Sequence, residues 1–393
     1  DSAAAHTTGA AIYLDDIPSV PGALEAALVL SPHPHARIRN IDVSAAQAAE
    51  GVTAVVTAKD VPGKNDIAPI RSDEPLLASE IVEHEGQVVA AVAAVTLDLA
   101  RAAAKLVKVE YEVLPPVLSV EEAAEKESLV APIQKMERGD IEVALTSARH
   151  RLKGSFHCGG QDHFYLEGQI AIATPGETGR DFHVFSSTQH PTEVQHGVAH
   201  ILGVPFNAVT VEVRRMGGGF GGKESQPTII AGVAALLASK TRKPVKLRLP
   251  RDDDMRATGK RHPFYFRYDI GFDDDGAIQG LDLLLAANGG HVADHTPAVL
   301  TRALCHADNC YWLPVLRFRG LPCKTNTVSN TAFRGYGGPQ GMFAIETILD
   351  IVARHLGKTP DEVRKRNFYG TGKNNITPYG MTVEDNIIEK VID

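Results

Sequence analysis

The feature that most constrains the fold is a run of five glycines around one phenylalanine, GGGFGG at residues 217–222. The apolar residues before it, at 209–216, predict a strand, and the apolar stretch 229–240 after it predicts a buried helix. So many adjacent glycines exclude a regular helix or strand over these six residues. They predict a tight loop whose backbone can approach a bound group closely. We call residues 217–222 the first glycine loop.

A second glycine-rich segment, NTAFRGYGGPQG at residues 330–341, leads into an amphipathic helix pattern over Gln340–His355. We call residues 330–341 the second glycine loop. Two such loops, each ahead of a helix, offer many backbone N–H groups, which suits an anionic cofactor held by main chain. A third segment, SSTQHP at 186–191, joins a strand pattern to a helix pattern, and its Gln189 is either a binding residue or an ordinary turn residue.

Size and charge exclude several classes of protein. The 393 residues are 44% hydrophobic, enough for two or three domains with large cores. The formal net charge of −8 argues against a nucleic-acid-binding role, and no apolar run reaches the roughly 18 residues of a membrane helix. The four cysteines include no C-x-x-C pair, so we expect reduced thiols in a cytoplasmic protein.

The order of strand and helix patterns predicts a mixed α/β fold (α+β in part). Residues 1–117 form one α/β unit, which includes a strand pattern at Lys108–Leu114. The acidic stretch 118–145 is interpreted as a connector, and residues 146–393 as a second domain. The chain stops inside a helix pattern at Val383–Asp393, so we expect it to be one part of something larger.

A hairpin is predicted in the second domain. Phe264, Phe266 and Tyr268 occupy alternate positions, as on one face of a strand. The polar sequence DDDG at 273–276 then provides a turn before the apolar strand pattern Leu281–Leu285. A calcium loop is the alternative for three consecutive aspartates, but the wider-spaced ligands and the closing glutamate are missing.

The first glycine loop also matches the G-x-G-x-x-G fingerprint of dinucleotide-binding folds through Gly217, Gly219 and Gly222. An NAD-binding dehydrogenase is therefore one hypothesis, and a tight glycine turn without a ligand is another. Two features weigh against NAD. The preceding strand pattern ends in the charged pair Arg214-Arg215, and the next helix pattern begins several residues after the loop.

The two loops and several further segments, in this order, resemble the molybdenum-binding subunit of the molybdenum hydroxylase family, which includes xanthine dehydrogenases and aldehyde oxidases. The segments that carry the resemblance are residues 1–16, HFYLE at 163–167, MGGGFGGKES at 216–225, DDDMRATGKRH at 252–262 and SNTAFRGYGGPQG at 329–341. The resemblance extends over essentially all 393 residues. It implies an α/β hammerhead-like domain over 1–117 and the first part of a molybdopterin-binding domain over 146–393.

The resemblance also implies an activity: oxidative hydroxylation of purines, hypoxanthine or xanthine to urate, with oxygen from water. The implied cofactor is molybdopterin with molybdenum, and electrons would leave through 2Fe-2S clusters to FAD on partner chains or domains. The implied partners are the C-terminal half of the molybdenum subunit, an FAD and iron–sulfur subunit and further copies in a higher oligomer, with no nucleic acid or membrane. No residue here matches the family's glutamate general base, so the chain alone is expected to be incomplete.

Site residues follow from the same resemblance, position by position. Glu224 would hydrogen-bond the purine, Arg302 would stabilise negative charge that develops on it, and the Tyr336 ring would stack on it. Gln189 would lie beside a molybdenum oxo ligand without binding the metal directly. The cofactor-binding residues are Gln189, Gly218, Gly219, Phe220, Gly221, Phe333, Arg334 and Gly335.

Alternatives remain open for this site. Tyr336 stands where phenylalanine is commoner, so an aldehyde or another N-heterocycle is the alternative substrate within the family. Arg302 could also be an ordinary helix-surface arginine, and Glu224 is open to a structural role in the same way. A non-catalytic folding or assembly fragment is the last alternative for the whole chain.

Overall fold

The computed structural model describes residues 2–392. Asp1, in the N-terminal motif, and Asp393, in the predicted last helix, lie outside the described residues. The strands are β1 (Leu24–Leu30), β2 (Ala36–Asp42), β3 (Val52–Thr57), β4 (Ile81–Val82), β5 (Val88–Ala94), β6 (Lys108–Val113), β7 (Gln134–Arg138), β8 (His150–Cys158), β9 (Ile170–Pro175), β10 (Phe182–Ser186), β11 (Val209–Glu212), β12 (Val245–Arg248), β13 (Phe264–Phe272), β14 (Ile278–Gly290) and β15 (Leu316–Lys324). The α-helices are α1 (Ser2–Thr8), α2 (Ser44–Gln47), α3 (Leu97–Ala104), α4 (Val120–Glu125), α5 (Ile141–Ser147), α6 (Pro191–Leu202), α7 (Pro227–Thr241), α8 (Arg251–Ala257), α9 (Thr296–Leu304), α10 (Gly338–Leu356), α11 (Pro360–Asn367) and α12 (Ile388–Ile392).

The largest sheet has seven strands in the order β11-β10-β9-β12-β1-β5-β3. It joins strands from both sides of residue 117, since β1 runs parallel to β12, with Leu24 opposite Val245. The buried helix predicted over 229–240 is confirmed as α7, whose apolar residues pack against this sheet. One hydrophobic core therefore extends from the N-terminal strands to the helix that follows the first glycine loop.

The segment 118–145 is not the connector that its composition indicated. It contains α4, β7 and α5, and β7 pairs antiparallel with β15, with Glu137 opposite Arg317. Ala123 of α4 is buried against the neighbouring sheet. The interpretation is wrong because an edge strand and two half-exposed helices have the same mixed, acidic composition as a linker, while their partners lie almost 200 residues away.

A second sheet has five strands in the order β7-β15-β14-β13-β8. The predicted hairpin is confirmed: β13 and β14 pair antiparallel, and Gly276 turns the chain at a φ of +85°. The alternate aromatic residues Phe264 and Phe266 are buried in the core that β13 and β14 share with α9 and α10. This packing fixes the position of both helices beside the second glycine loop.

Two smaller features complete the fold. A three-stranded sheet has the order β4-β2-β6, and β6 shows the predicted alternation, with Val109 and Tyr111 half-buried between exposed charged residues. β11 ends at Glu212 and not at 216 as predicted, because residues 213–216 leave the sheet edge to enter the first glycine loop. α12 is a single short turn within the longer helix predicted at the end of the chain.

Two global properties follow from the described residues. No helix among residues 2–392 is both long and apolar enough to cross a membrane. Cys158, Cys305, Cys310 and Cys323 are all free thiols, and burial raises the pKa of each.

Candidate functional site

The first glycine loop is as tight as its sequence predicts. Gly218 and Gly221 have φ angles of +93° and +99°, and Phe220 between them also adopts a positive φ of +55°. At Gly219, a Cβ atom would lie 2.4 Å from Oε1 of Gln189. The loop therefore lies directly against the Gln189 side chain, which would have to shift to accept a larger residue at position 219.

Gln189 holds the first glycine loop through its amide oxygen. Oε1 accepts hydrogen bonds from the backbone N–H of Gly221 at 2.8 Å and from that of Lys223 at 3.3 Å. The backbone N–H of Gln189 donates to the Lys223 carbonyl at 2.6 Å. Gln189 is exposed, and its NH₂ group has no acceptor among the described residues. That NH₂ group is therefore free to donate to a ligand beside the loop.

The two glycine loops lie against each other. The N–H of Arg334 donates to the Phe220 carbonyl at 2.8 Å. A Cβ atom at Gly221 would come within 2.6 Å of the Ala332 carbonyl oxygen. Residues far apart in the chain therefore form one continuous surface.

His163 and Arg261 fix the second glycine loop from behind. The His163 ring stacks on Phe333 at 4.5 Å between centroids, and its Nε2 lies 2.7 Å from the Ala332 carbonyl oxygen. Burial lowers the pKa of His163, so the ring is neutral at pH 7 and its Nε2 carries the hydrogen donated to that carbonyl. The Arg261 guanidinium also lies over the Phe333 ring, with its Cζ 3.7 Å from the ring centroid, and it donates a hydrogen bond to the Arg334 carbonyl.

Several backbone donors remain unused where the loops meet. The N–H groups of Gly218, Gly219, Phe220, Phe333 and Gly335 donate to no acceptor within residues 2–392. Converging amide groups of this kind bind anionic oxygen atoms well. A cleft of about 480 Å³ borders the first glycine loop, between Met216 and the N-terminal residues Tyr13 and Asp16.

Tyr336 lies near enough to Glu224 for the carboxylate charge to act on its hydroxyl. Burial raises the pKa of Tyr336 to about 12, and the negative charge of Glu224 adds to this shift. The Tyr336 hydroxyl contacts Nδ1 of His295 at 2.8 Å. His295 was not predicted as a site residue.

Arg302 lies on α9, next to the second glycine loop. A Cβ atom at Gly338 would lie 3.8 Å from its Nε. Within the described part of the chain, neither Arg302 nor Glu224 forms a salt bridge or a side-chain hydrogen bond, and the two do not pair with each other. Two opposite charges beside one loop are thus both available to a ligand.

This geometry does not support the hypothesis that the first glycine loop binds a dinucleotide. In the fingerprint, the glycines open the helix directly, so that its N-terminus meets the pyrophosphate. Here residues 223–226 separate the loop from α7, and β11 before it is an edge strand of a mixed sheet. The loop instead packs against Gln189 and the second glycine loop.

Comparison with known proteins identifies the family. The family model described as "Molybdopterin cofactor-binding domain" matches residues 121–368, and that of the "Aldehyde oxidase and xanthine dehydrogenase, a/b hammerhead domain" matches residues 8–115. The chain belongs to the molybdenum hydroxylase family. The fold class, the family and the molybdenum cofactor expected from the sequence are confirmed.

Individual relatives support the family assignment. The chain is 45% identical to a xanthine dehydrogenase/oxidase of Gallus gallus over 98% of its length, and 43% identical to a xanthine dehydrogenase of Oryza sativa over 100%. It covers 28% and 29% of those proteins, so it spans less than a third of the curated relatives it matches.

Two solved structures of oxidoreductases superpose well on this chain. The aldehyde oxidoreductase of Desulfovibrio gigas matches all of this chain with a TM-score of 0.92 at 30% identity, and 45% of that structure is covered. Quinoline 2-oxidoreductase of Pseudomonas putida matches 97% of the chain with a TM-score of 0.86 at 28% identity, with 51% covered.

Sequence reasoning missed a buried ion pair that supports the first glycine loop. The Lys223 side chain is completely buried, and its ammonium contacts the Glu167 carbonyl at 2.7 Å, the Glu167 carboxylate at 3.1 Å and the Ser187 hydroxyl at 2.7 Å. Glu167 in turn accepts the N–H of Gly217 at 2.9 Å. Burial lowers the pKa of Lys223, and the charge of Glu167 opposes that change. The available signal was a lysine placed between a glycine run and an apolar helix.

Proposed function

We propose that this chain forms the cofactor-binding and purine-binding part of a molybdenum hydroxylase that converts hypoxanthine or xanthine to urate. The observation that carries the proposal is the pair of unpaired charges, Glu224 and Arg302, beside the joined glycine loops. A purine offers both N–H donors and a carbonyl that gains negative charge during oxidation. One carboxylate and one permanent cation complement these two features.

The residues present fit the molybdopterin cofactor. The unused amides of Gly218, Gly219, Phe220, Phe333 and Gly335 and the free NH₂ of Gln189 form a donor-lined cradle for an anionic, oxygen-rich group. When bound, this cofactor supplies the two-electron redox chemistry by which oxygen from water replaces hydrogen on a substrate carbon. Gln189 would donate its NH₂ to an oxygen of the group, and the Arg334 backbone would keep the two loops together.

The remaining side chains act on the substrate. Glu224 accepts a hydrogen bond from a purine N–H, and Arg302 stabilises the charge that develops on a purine oxygen. The Tyr336 ring offers an aromatic face for a planar heterocycle. These roles concern binding and charge stabilisation, and they follow from the sequence resemblance together with the placement of the residues.

The wider assembly is part of the same proposal. We expect a C-terminal half of the molybdenum subunit, an FAD and iron–sulfur subunit that accepts the electrons, and a higher oligomer. Support comes from the relatives' length, of which this chain covers 28% to 29%. We also propose a cytoplasmic location, which the four free cysteines favour.

A second candidate function is hydroxylation of aldehydes or other N-heterocycles. The structural neighbours include an aldehyde oxidoreductase and a quinoline 2-oxidoreductase. The resemblance implies phenylalanine at the position of Tyr336, so the tyrosine hydroxyl also changes the surface offered to the substrate.

The test uses the full-length protein that contains this chain, loaded with cofactor. We expect Glu224→Gln and Arg302→Met each to lower kcat/KM for xanthine at least about a hundredfold, because each removes a charge that binds the reacting purine. Matched controls are Glu125→Gln and Arg149→Met, two exposed charged residues outside the site. Xanthine turnover that survives both site changes would contradict the purine assignment, and preferred turnover of an aldehyde would favour the second candidate.

Molybdenum content gives an independent measurement. Elemental mass spectrometry of the purified protein should give close to one molybdenum atom per chain when the cradle is complete. Glu224→Gln and Arg302→Met should leave that ratio unchanged, because neither side chain belongs to the donor-lined cradle. Loss of the metal in these variants would show that their inactivity does not report on substrate binding.

A further inference from the structure

We propose that a groove on the five-stranded sheet binds a phosphate group, either as inorganic phosphate or as the end of a phosphate monoester. The groove has a volume of about 390 Å³, and its charged lining includes Lys153, Arg267 and Arg319. None of its lining residues belongs to the glycine loops or to the proposed substrate site. The inference therefore does not rest on the proposed function.

The groove lies on the sheet face that is turned away from α9 and α10. Because successive residues of a strand point to opposite faces, Phe264 and Phe266 of β13 face the core shared with these helices, while Tyr265 faces the other side. There Tyr265 packs against the small cluster beneath α4. At the other end of the strand, a Cβ atom at Gly271 would lie 3.5 Å from the Leu145 side chain of α5. The groove is the part of this face between α4 and α5.

The strand register places positive side chains in one row across this face. Arg267 of β13 and Arg319 of β15 both lie opposite Leu284 of β14. Neighbouring strands are about 4.8 Å apart, so the Cα atoms of the two arginines are roughly 10 Å apart and their long side chains can reach one small anion. Lys135 of β7 lies opposite Arg319 at the edge of the row. Like charges in this position destabilise a sheet, and a bound anion would offset their repulsion.

The two carboxylates of the groove do not compensate its positive charge. Asp269 lies 2.7 Å from an Arg151 nitrogen and 3.0 Å from Lys153 Nζ, and Asp282 is shared in the same way by two arginines of β15. Arg267 is exposed and forms no salt bridge within residues 2–392. Among the charged lining residues and their ion-pair partners, cations therefore outnumber carboxylates: Arg151, Lys153, Arg267, Arg317 and Arg319 against Glu142, Asp269 and Asp282. This excess is local, since the whole chain has a net charge of −8.

Hydrogen-bond donors without acceptors line the groove as well. Arg319 contacts Asp282 only at 3.3 Å, and its Nε–H has no acceptor among the described residues, so its guanidinium can turn toward a ligand. The hydroxyl groups of Ser155 and Tyr265 also line the groove and form no hydrogen bond in the same part of the chain. Guanidinium and hydroxyl donors suit the oxygen atoms of a phosphate. A dianion also matches the excess of positive charge better than a single carboxylate does.

Isothermal titration measures this binding directly. The full-length holoenzyme would be titrated at fixed ionic strength with inorganic phosphate, with ribose 5-phosphate and with ribose. We expect the two phosphate compounds to bind with millimolar or higher affinity, and ribose not to bind. Tighter binding of ribose 5-phosphate than of inorganic phosphate would identify a phosphate monoester as the ligand, and equal or weaker binding would identify inorganic phosphate. Binding of neither compound would overturn the inference.

Removal of two arginines tests whether the phosphate binds in this groove. The double variant Arg267→Gln/Arg319→Gln should weaken phosphate binding at least about tenfold, because it removes charge-assisted hydrogen bonds. The matched control Arg101→Gln/Arg149→Gln removes two exposed arginines elsewhere and should leave the affinity unchanged. An unchanged affinity in the groove variant would overturn the inference. Equal weakening in both double variants would also overturn it, because the attraction would then come from the charge of the whole protein.

A single variant separates loss of the site from loss of the fold. Arg267 contacts no carboxylate among the described residues, so Arg267→Gln should unfold at the same temperature as the unaltered protein in chloride buffer. It should still weaken phosphate binding about threefold or more. Phosphate should also raise the unfolding temperature of the unaltered protein more than that of the groove double variant. A folded Arg267→Gln protein that binds phosphate as tightly as the unaltered protein would contradict the role of this groove.

Discussion

Lys223 and Glu167 support the first glycine loop through a buried ion pair, and loss of one partner leaves the other charge uncompensated. We expect Lys223→Met to lower the free energy of unfolding by about 3–5 kcal/mol. The double variant Lys223→Met/Glu167→Gln should lose less stability than Lys223→Met alone. The new amide at position 167 carries no charge, and its oxygen can still accept a hydrogen bond from the Gly217 N–H. Urea unfolding at pH 7 measures both values.

An exposed pair provides the matched control for this prediction. Lys126 contacts Glu122 at 2.6 Å, but its side chain is 59% exposed. Lys126→Met should change the free energy of unfolding by less than about 1 kcal/mol. If Lys223→Met has an equally small effect, the buried pair does not support the loop.

Gly221 is the residue where the two glycine loops come closest. Gly221→Ala would place a Cβ atom 2.6 Å from the Ala332 carbonyl oxygen, in addition to the unfavourable positive φ. Gly372→Ala is the control, since Gly372 has a φ of +74° with open space around it. We expect about 1–2 kcal/mol of destabilisation in the control, and a larger loss with a lower molybdenum content in Gly221→Ala. Equal effects on both measurements would mean that the close approach is unimportant.

Asp308 gives a pH-dependent prediction. Burial raises the pKa of its carboxyl group to about 6, although Tyr369 donates a hydrogen bond to it. Between pH 4 and pH 6 the unfolded chain releases this proton and the folded chain keeps it, so the protein loses stability as pH rises through that window. Asp308→Asn removes this loss, so its stability relative to the unaltered protein should increase by about 2–3 kcal/mol from pH 4 to pH 6 and then stay constant.

Thermal unfolding at several pH values measures this difference. Asp274 is the contrast, because its contact with His150 lowers the pKa of its carboxyl group. Asp274→Asn should therefore lose stability relative to the unaltered protein as pH rises. A difference for Asp308→Asn that does not change between pH 4 and pH 6 would contradict the assigned pKa.

Sequence motifs predicted which segments carry the site but not every contact within it. Gln189, Phe220 and Arg334 stand inside recognisable segments, so their roles were predicted from the resemblance. His163 and Lys223 stand in such segments too, but they act, like His295, through contacts between segments separated by tens to hundreds of residues. Such contacts leave no local pattern, and a buried polar side chain looks in sequence like an exposed one.

At the scale of elements, local signals predicted well and long-range pairing did not. The hairpin of β13 and β14 depends on neighbouring residues, and it is confirmed. The structure of residues 118–145 depends on the pairing of β7 with β15, and the composition of the segment does not reveal that pairing.

The close approach of α9 and α10 at Gly341 is the contact on which the position of Arg302 depends. A Cβ atom at Gly341 would lie 2.2 Å from the Ala303 carbonyl oxygen on α9. Alanine usually stabilises a helix relative to glycine by about 1 kcal/mol. Here we expect Gly341→Ala to cost about 1–3 kcal/mol through overpacking, and to weaken purine binding because α9 must move with Arg302.

Gly232 on α7 is the matched helical control. A Cβ atom there would meet the ends of the Ile201 and Leu76 side chains, at 2.5 Å and 3.0 Å, and flexible side-chain ends can shift. Gly232→Ala should therefore cost less than Gly341→Ala and leave purine binding unchanged. Equilibrium unfolding and urate titration measure both effects, and equal purine affinities of the two variants would contradict the role of the α9–α10 contact.

At the scale of the whole molecule, the division of the sequence near residue 117 does not separate two cores. The two family matches end and begin on either side of it, at residues 115 and 121. However, β1 forms hydrogen bonds with both β5 and β12, and Leu24 and Val56 share one buried cluster with Ile230 and Leu236. The hammerhead and cofactor-binding parts are therefore joined by a continuous sheet and a continuous core.

A cut at the division tests this directly. We would place a protease site between Leu118 and Ser119, which are both exposed, and cleave the folded protein. Because separation would expose the shared core and break the pairing of β1 with β12, the two pieces should elute together in size-exclusion chromatography and unfold in one transition. They should separate only in denaturant. Two independently folded pieces in native buffer would show that the sheet does not hold the two parts together.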